Sequence, residues 1–151
     1  MVTTHKEMLS RHLHYEFWML GETFLLLEAG VPKGVWGNAC IEAFSMHARN
    51  LMEFFEKKAS THFATAVAFA DASYEPLSKR IVREELRTKL NNQLVHLTWG
   101  RTVNDSQKFD ADDRREVIRV LERERAHFVA HLLPAHTADW SGITLPMVPA
   151  R

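Results

Sequence analysis

The sequence predicts an all-α fold, an up-down bundle of four helices. Four segments repeat apolar residues at spacings of three and four, which is the period of a helix with one buried face. Each segment is roughly 20 to 26 residues long, and the connections between them are short or moderate, as in up-down bundles. No stretch shows the apolar–polar alternation of a half-buried strand. These observations favour a bundle over any fold that contains a sheet.

The first predicted helix covers about residues 4–29. Thr4 can cap its first turn, Glu7 completes the pattern of a capping box, and Gly30 is a stop signal. Its apolar stripe is Leu9, Leu13, Phe17, Leu20, Phe24 and Leu27.

The second predicted helix covers about residues 38–58, with Asn38 as its N-cap. Met52 and Phe54 widen its apolar stripe, so we expect this helix to be central and well buried. The stripe itself is Ile41, Phe44, Ala48, Leu51 and Phe55. Residues 60–75 follow, and their pattern leaves two alternatives open, a short extra helix or an apolar loop that lies on the bundle.

The third predicted helix covers about residues 76–102, because Pro76 suits a first turn and leucines then recur in a regular seam. That seam is Leu86, Leu90, Leu94 and Leu97. The fourth helix begins near Asp110, where further acidic residues favour the positive end of the helix dipole, and Pro134 ends it. Its stripe is Val117, Leu121, Phe128 and Leu132.

Length and composition are those of a single globular domain. The chain has 151 residues, of which 46% are hydrophobic and 25% are charged. We expect a helical domain over residues 1–133 and an extended, proline-containing tail over residues 134–151. Because the tail carries several apolar residues, we expect it to pack on the bundle or on a second subunit, and a homodimer is one expected partner state.

Charge and targeting signals narrow the partners and the location. The 19 basic and 19 acidic residues give a formal net charge of zero, which offers no argument for non-specific binding to nucleic acid or to a membrane surface. No apolar run approaches the roughly 20 residues of a membrane span, and the first residues do not form an export signal. We therefore expect a cytoplasmic protein. The single Cys40 excludes an intramolecular disulfide.

A polar stripe on the third helix is the first candidate site. Asn92 lies four residues before His96 and Lys89 seven before it, so the three share one edge of the leucine seam. A histidine at such an edge can act as a general base, with a nearby cation stabilising developing charge. The alternative is a structural role, in which His96 bonds a neighbouring helix.

Two motifs in the chain resemble a family of small bacterial all-helical proteins of unassigned function. The motifs are HARNLMEFF, residues 47–55, and NNQLVHLT, residues 91–98, which Arg101 follows. The resemblance covers about residues 40–130 and implies a helical fold without an activity. The polar motif residues that we expect to bind a ligand are Arg49, Asn50 and Arg101.

The chain also resembles, more distantly, HEPN domains, helical bundles that often act as metal-independent ribonucleases. Their motif separates an arginine from a histidine by four to six residues on a late helix, commonly with a polar residue after the arginine. His96 matches the histidine and Asn92 the polar residue, whereas the arginine position holds Asn91 or Lys89. The resemblance implies a protein that binds or cleaves RNA, with Lys89, Asn92 and His96 as catalytic residues. The missing arginine implies a catalytically degenerate form as an alternative.

Histidines on two helices give a second hypothesis, a metal site. Of nine histidines, His127 and His131 lie four apart on the fourth helix and His47 lies on the second, a feasible ligand set for zinc or another divalent metal. The arrangement is similar to that of DinB-like four-helix metalloproteins, which hold their metal through histidines of the second and last helices. The alternative is a structural role without a cofactor. A third hypothesis is a non-enzymatic helical interaction protein.

Overall fold

The computed structural model describes residues 3–30, 34–59, 62–94 and 109–148, with backbone alone for residues 92–94. Within these ranges the chain is all-α, which confirms the predicted fold class, and no β-strand is present. The up-down order of the bundle stays a prediction, because the connection between the third and fourth long helices lies outside the described residues. The α-helices are α1 (His5–Glu7), α2 (His14–Glu28), α3 (Val35–Glu56), α4 (Glu84–Leu94), α5 (Ala111–Ala130) and α6 (Pro134–Thr137).

The first predicted helix is continuous but changes type along its length. A π-helical segment, Met8–Leu13, joins α1 directly to α2. The predicted capping box is confirmed, since Glu7 N–H donates to Thr4 Oγ1 (3.2 Å) and Thr4 N–H donates to Glu7 Oε2 (2.9 Å). The bond from the Thr4 backbone, followed by the bond from its side chain, stabilises the ionised carboxylate and lowers the pKa of Glu7. The apolar spacing did not indicate the π segment.

Phenylalanines from three helices meet in the centre of the core. The Phe55 ring of α3 lies 6.3 Å from Phe17 of α2 and 5.8 Å from Phe128 of α5, measured between centroids. All three rings are fully buried, and burial of such a side chain stabilises a fold by roughly 1.5–3 kcal/mol. Because α3 contacts α2, α4 and α5, it is the central helix, as its wide apolar stripe predicts.

The third long helix begins later than predicted, at Glu84 rather than near the proline eight residues before it. The backbone of the intervening segment is bound by carboxylates of other helices. Leu77 N–H donates to Glu124 of α5 (3.1 Å), and Ile81 N–H donates to Glu56 of α3 (2.7 Å). In a helix that began at the predicted proline, the Ile81 N–H would bond the Leu77 carbonyl, so its bond to Glu56 replaces a helical bond. The Leu77 N–H would lie in the first turn, where a helix leaves it without an internal acceptor.

In its described residues, 57–59 and 62–83, the segment between α3 and α4 is a loop with one 3₁₀ turn, Ala66–Ala68, which favours the predicted apolar loop over a short extra helix. The loop lies on the core, with Phe69 buried. It also pairs with the chain after α5, where Leu133 N–H donates to the Phe69 carbonyl (3.0 Å). This pairing accompanies the end of α5 at Ala130, before the predicted proline stop.

The described part of the C-terminal tail packs on the bundle, and it begins with the short helix α6 rather than being extended throughout as predicted. The Trp140 ring lies 6.1 Å from Phe17 of α2, and Leu145 is buried in the same core. Gly21 allows this approach, since a Cβ atom there would lie only 3.3 Å from Pro146 Cδ. The tail therefore contributes to the hydrophobic core of the bundle.

The N-terminus of α5 gives a stability prediction. Asp113 N–H donates to Asp110 Oδ1 (2.9 Å), and Asp110 N–H donates to Asp113 Oδ2 (3.2 Å). Asp110→Ala removes this cap, so we expect the free energy of unfolding in urea to fall by about 1 kcal/mol. Asp110→Asn is the matched control, because asparagine caps as well as aspartate does. An equal loss in both variants at neutral pH contradicts the capping role.

The same pair of residues, Asp110 and Asp113, predicts that stability depends on pH. The bond from the Asp113 backbone stabilises the ionised carboxylate and holds the pKa of Asp110 below its ordinary value. Because the pKa is lower in the folded state, this stabilisation is present above the ordinary carboxyl pKa and is lost as the pH falls through the lowered value. Below about pH 4, wild type should lose stability relative to Asp110→Asn. If the stability difference between wild type and Asp110→Asn does not change with pH, this prediction is contradicted.

Candidate functional site

Neighbouring residues of α3 face different helices, because each residue turns the helix by about 100°. Arg49 lies toward α4, where it lines a cleft with Arg87 and Asn91. Asn50 lies toward α2, where its Nδ2 donates to Glu16 Oε2 (3.1 Å). The first sequence motif therefore contributes to two separate places in the molecule.

The first of these places is a small cleft between α3 and α4, with a volume of about 90 Å³. Its lining residues are Arg49, Met52, Glu53, Arg87, Leu90 and Asn91. Arg49 belongs to the first sequence motif and Asn91 to the second, although they are far apart in the chain. The structure thus brings one predicted binding residue together with the start of the motif that carries the predicted catalytic residues. We call this place the α3–α4 cleft.

The two arginines of the α3–α4 cleft are not equivalent. Arg87 forms an ion pair with Glu56, which neutralises its charge, yet its buried Nε has no hydrogen-bond acceptor among the described residues. Arg49 is about one-third exposed, and its nearest carboxylate is Glu53, 3.9 Å from its Nη2. That distance is too long for a hydrogen bond. Among the described residues, Arg49 therefore has no carboxylate within hydrogen-bond distance, and one donor of Arg87 is unused.

Lys89, a predicted catalytic residue, has a structural partner. Its Nζ donates to Asp113 Oδ2 (2.6 Å), and Arg83 Nη2 donates to Asp113 Oδ1 (3.2 Å). The Asp113 side chain is only 4% exposed, so these cations compensate a buried charge and tie α4 to the start of α5. Lys89 does not line the α3–α4 cleft.

Three other predicted residues cannot be placed. The side chain of Asn92 and the whole of His96 and Arg101 lie outside the described residues. Their roles, two catalytic and one in binding, stay predictions.

His47, the first predicted metal ligand, is occupied by a contact between α2 and α3. Its Nδ1 lies 2.7 Å from Glu16 Oε2, and because an ionised carboxylate only accepts, the ring nitrogen is the donor. The ring is 3% exposed and meets the Tyr15 ring edge-on at 5.5 Å. His47 therefore orients the Glu16 carboxylate.

His127, in the last turn of α5, and His131, its C-cap, lie side by side as their spacing predicts, with ring centroids 4.4 Å apart. Their nitrogens bond backbone carbonyls: His127 Nε2 donates to Glu75 (2.9 Å), and His131 Nδ1 donates to His127 (3.0 Å). No group of three or more histidine, cysteine, aspartate or glutamate side chains within the described ranges is arranged to hold a metal ion. The predicted site of His47, His127 and His131 is therefore not assembled in this structure.

Glu16 is the polar residue that the sequence analysis did not single out. It lies three residues after Leu13 and four before Leu20, so it shares the buried face of its helix with them. A carboxylate on an apolar face needs a polar partner, and this signal was present in the sequence. The sequence does not identify the partner, because His47 is 31 residues away from Glu16.

Comparison with protein-family models, with curated proteins and with solved structures finds no match to this chain. The helical-family, HEPN and DinB resemblances receive no test from these comparisons. In the part of the chain that the structure describes, no helix combines the length and the apolar character that crossing a membrane requires.

The contact between Lys89 and Asp113 gives a prediction about how much this ion pair contributes to stability. Lys89→Gln removes one charge-assisted hydrogen bond to a buried carboxylate, so we expect the free energy of unfolding to fall by about 1.5–3 kcal/mol in urea denaturation. The control is Arg119→Gln, an exposed cation of α5, which should change it by less than about 0.5 kcal/mol. Equal stability of the two variants would show that the pair contributes nothing.

Proposed function

We propose that this protein is a HEPN-like helical protein that binds RNA at the α3–α4 cleft, and that any cleavage of that RNA depends on His96. One observation carries the proposal. Residues of two separate motifs, Arg49 and Asn91, line the same cleft together with a second arginine, Arg87.

The chemistry of the α3–α4 cleft suits one phosphate group and its surroundings. The Arg49 guanidinium presents several N–H donors in one plane, which match two oxygens of a phosphate. The unused Nε–H of Arg87 adds a donor, and the Asn91 amide can both donate and accept. A volume of about 90 Å³ accommodates a single group of this kind rather than a length of RNA backbone. The proposed binding therefore uses few ionic contacts, in keeping with a net charge of zero.

RNA binding is tested by fluorescence anisotropy with a labelled single-stranded oligonucleotide of mixed sequence. One phosphate contact predicts a slope of about −0.7 for the logarithm of the association constant against the logarithm of salt concentration. Arg49→Ala should weaken binding at least about tenfold, the equivalent of one charge-assisted bond. Arg123→Ala, which removes an exposed arginine of α5, is the matched control and should bind as wild type does. No binding by wild type, or equal loss in both variants, contradicts the proposal.

His96→Ala separates cleavage from binding in the same assay. We expect this variant to lose ribonuclease activity in the presence of a chelator while RNA affinity and melting temperature stay at wild-type values. If wild type binds RNA without cutting it, the protein is the catalytically degenerate form. Cleavage that persists in purified His96→Ala removes His96 from the mechanism.

A second candidate function, self-association as a helical interaction protein, is favoured by an exposed strip on α2. Tyr15, Trp18 and Leu25 share one face of the helix, and each is about half exposed. An antiparallel contact that sets Tyr15 of one copy against Trp18 of another also sets Arg11 against Glu22, because both pairs are symmetric about the same point. The charges that flank the strip are therefore complementary to themselves, as a two-fold interface requires.

Light scattering coupled to size-exclusion chromatography tests this second candidate. Wild type should elute with the mass of a dimer, and Arg11→Glu should shift it toward the monomer by setting like charges opposite each other. The double variant Arg11→Glu/Glu22→Arg restores the opposite charges and should restore the dimer. A monomeric wild type, or no rescue by the double variant, contradicts the α2 interface.

A further inference from the structure

We infer that the protein has a second ligand site, separate from the α3–α4 cleft, which binds a small organic cation with an apolar body. The site is a cleft between the π segment, α2, α3 and the loop after α3, with a volume of about 300 Å³. This volume lies at the lower end of the range for small-molecule pockets, roughly 300–1,000 Å³. The lining residues that carry the inference are Met8, His12, Glu16, Asn50, Phe54 and Ala64. We call it the N-terminal cleft.

Glu16 makes the N-terminal cleft negative. Its Oε2 accepts hydrogen bonds from His47 Nδ1 (2.7 Å) and Asn50 Nδ2 (3.1 Å). Within the described ranges no lysine or arginine pairs with this carboxylate, and its other oxygen, Oε1, has no hydrogen-bond donor. A ligand that carries an N–H and a positive charge complements this carboxylate, because it can donate to Oε1 and adds a permanent positive charge beside it.

The carboxylate is held in place before any ligand arrives. Both donors to Oε2 come from α3, so the Glu16 side chain is fixed across the contact of two helices. The carboxylate is 24% exposed, which leaves it reachable and also strengthens its attraction for a cation relative to bulk water. Such preorganisation lowers the entropic cost of binding. His47 is a positioning residue here, since it is buried behind Glu16 and does not line the cleft.

The remaining walls of the N-terminal cleft select for a hydrocarbon body. Met8, Phe54 and Ala64 contribute apolar surface, whereas His12 and Asn50 are the other polar side chains that the argument uses. A small apolar pocket with a few convergent polar groups is the usual form of a ligand site. An inorganic cation would leave these apolar walls unused, and an anion would meet Glu16 directly.

The π segment supports the assignment independently. It supplies Met8, His12 and Leu13 to the cleft lining. Short π-helical stretches within α-helices are rare and occur frequently at functional sites. The irregular stretch of this helix is thus the stretch that forms a wall of the cleft.

Three probes with the same aromatic body and different head groups test the site on the full chain: phenethylammonium, 2-phenylethanol and 3-phenylpropionate. Titrations followed by ¹H–¹⁵N NMR report both affinity and location. We expect phenethylammonium to bind at least about tenfold more tightly than the alcohol, equivalent to 1.4 kcal/mol, and the carboxylate to bind more weakly than either. The largest shifts should fall in the Met8–Leu13 amides and the Asn50 side chain.

Variants separate the charge of the cleft from its shape. Glu16→Gln should abolish the preference for the cation over the alcohol, whereas Glu42→Gln, an exposed carboxylate of α3, should keep it. Ala64→Leu fills the cleft without touching the contact between Glu16 and His47, so it should weaken binding of every probe even where Glu16→Gln fails to fold. RNA affinity is measured on the same variants and should not change, which separates this site from the proposed RNA site.

Three results would overturn the inference. One is equal affinity of wild type for phenethylammonium and 2-phenylethanol. Another is an unchanged preference for the cation in folded Glu16→Gln. The last is undiminished binding of the probes by Ala64→Leu.

Discussion

The packing of α3 in the centre of the bundle is the constraint on which the rest of the structure depends. Phe55 contacts rings of both α2 and α5, and Phe44 and Leu51 of α3 are also fully buried. Rotation of α3 about its axis would expose this stripe, at a cost of roughly 1.5–3 kcal/mol for each large side chain. The polar residues on either side of the stripe therefore have fixed neighbours.

Two clefts of opposite character follow from this one helix. Arg49 faces α4 and leaves a cation available, whereas the adjacent Asn50 faces α2 and helps to hold the carboxylate of Glu16. A short motif that looks like a single functional unit in the sequence is therefore divided between the cleft proposed to bind an anion and the cleft proposed to bind a cation. Its first residue, His47, belongs to the second surface, where its bond to Glu16 accounts for its burial without a metal ion.

The parts of the fold that local chemistry determines could be predicted from the sequence. The Thr4 capping box depends on a residue three positions away and forms as the sequence indicates. The predicted cap at Asn38 is wrong, because α3 begins at Val35 after Gly34 and Asn38 lies inside the helix. The start of α4 could not be predicted, because Glu56 and Glu124 approach from other helices and bind the backbone before it. The π segment has no signal in the apolar spacing. The tertiary bonds of carboxylates outweigh local propensity in the segment before α4.

The candidate site residues show the same difference between features set by local spacing and features set by tertiary contacts. The spacing of His127 and His131 correctly predicts that they are neighbours, but spacing within one helix cannot say whether a third ligand arrives from another. Lys89 lies on α4 where the helical period places it, and only the three-dimensional structure reveals Asp113 as its partner. Glu16 was overlooked because its meaning depends on two residues of a different helix.

Double-mutant cycles on unfolding free energy test most directly whether α3 separates the two clefts. The first cycle pairs Glu16→Gln with His47→Gln, and the second pairs Glu16→Gln with Arg49→Ala. For the first we expect a coupling of at least about 0.5 kcal/mol, because the side chains touch. For the second we expect additivity within about 0.5 kcal/mol, because the residues lie on different sides of α3. Additivity in the first cycle, or strong coupling in the second, would contradict this arrangement.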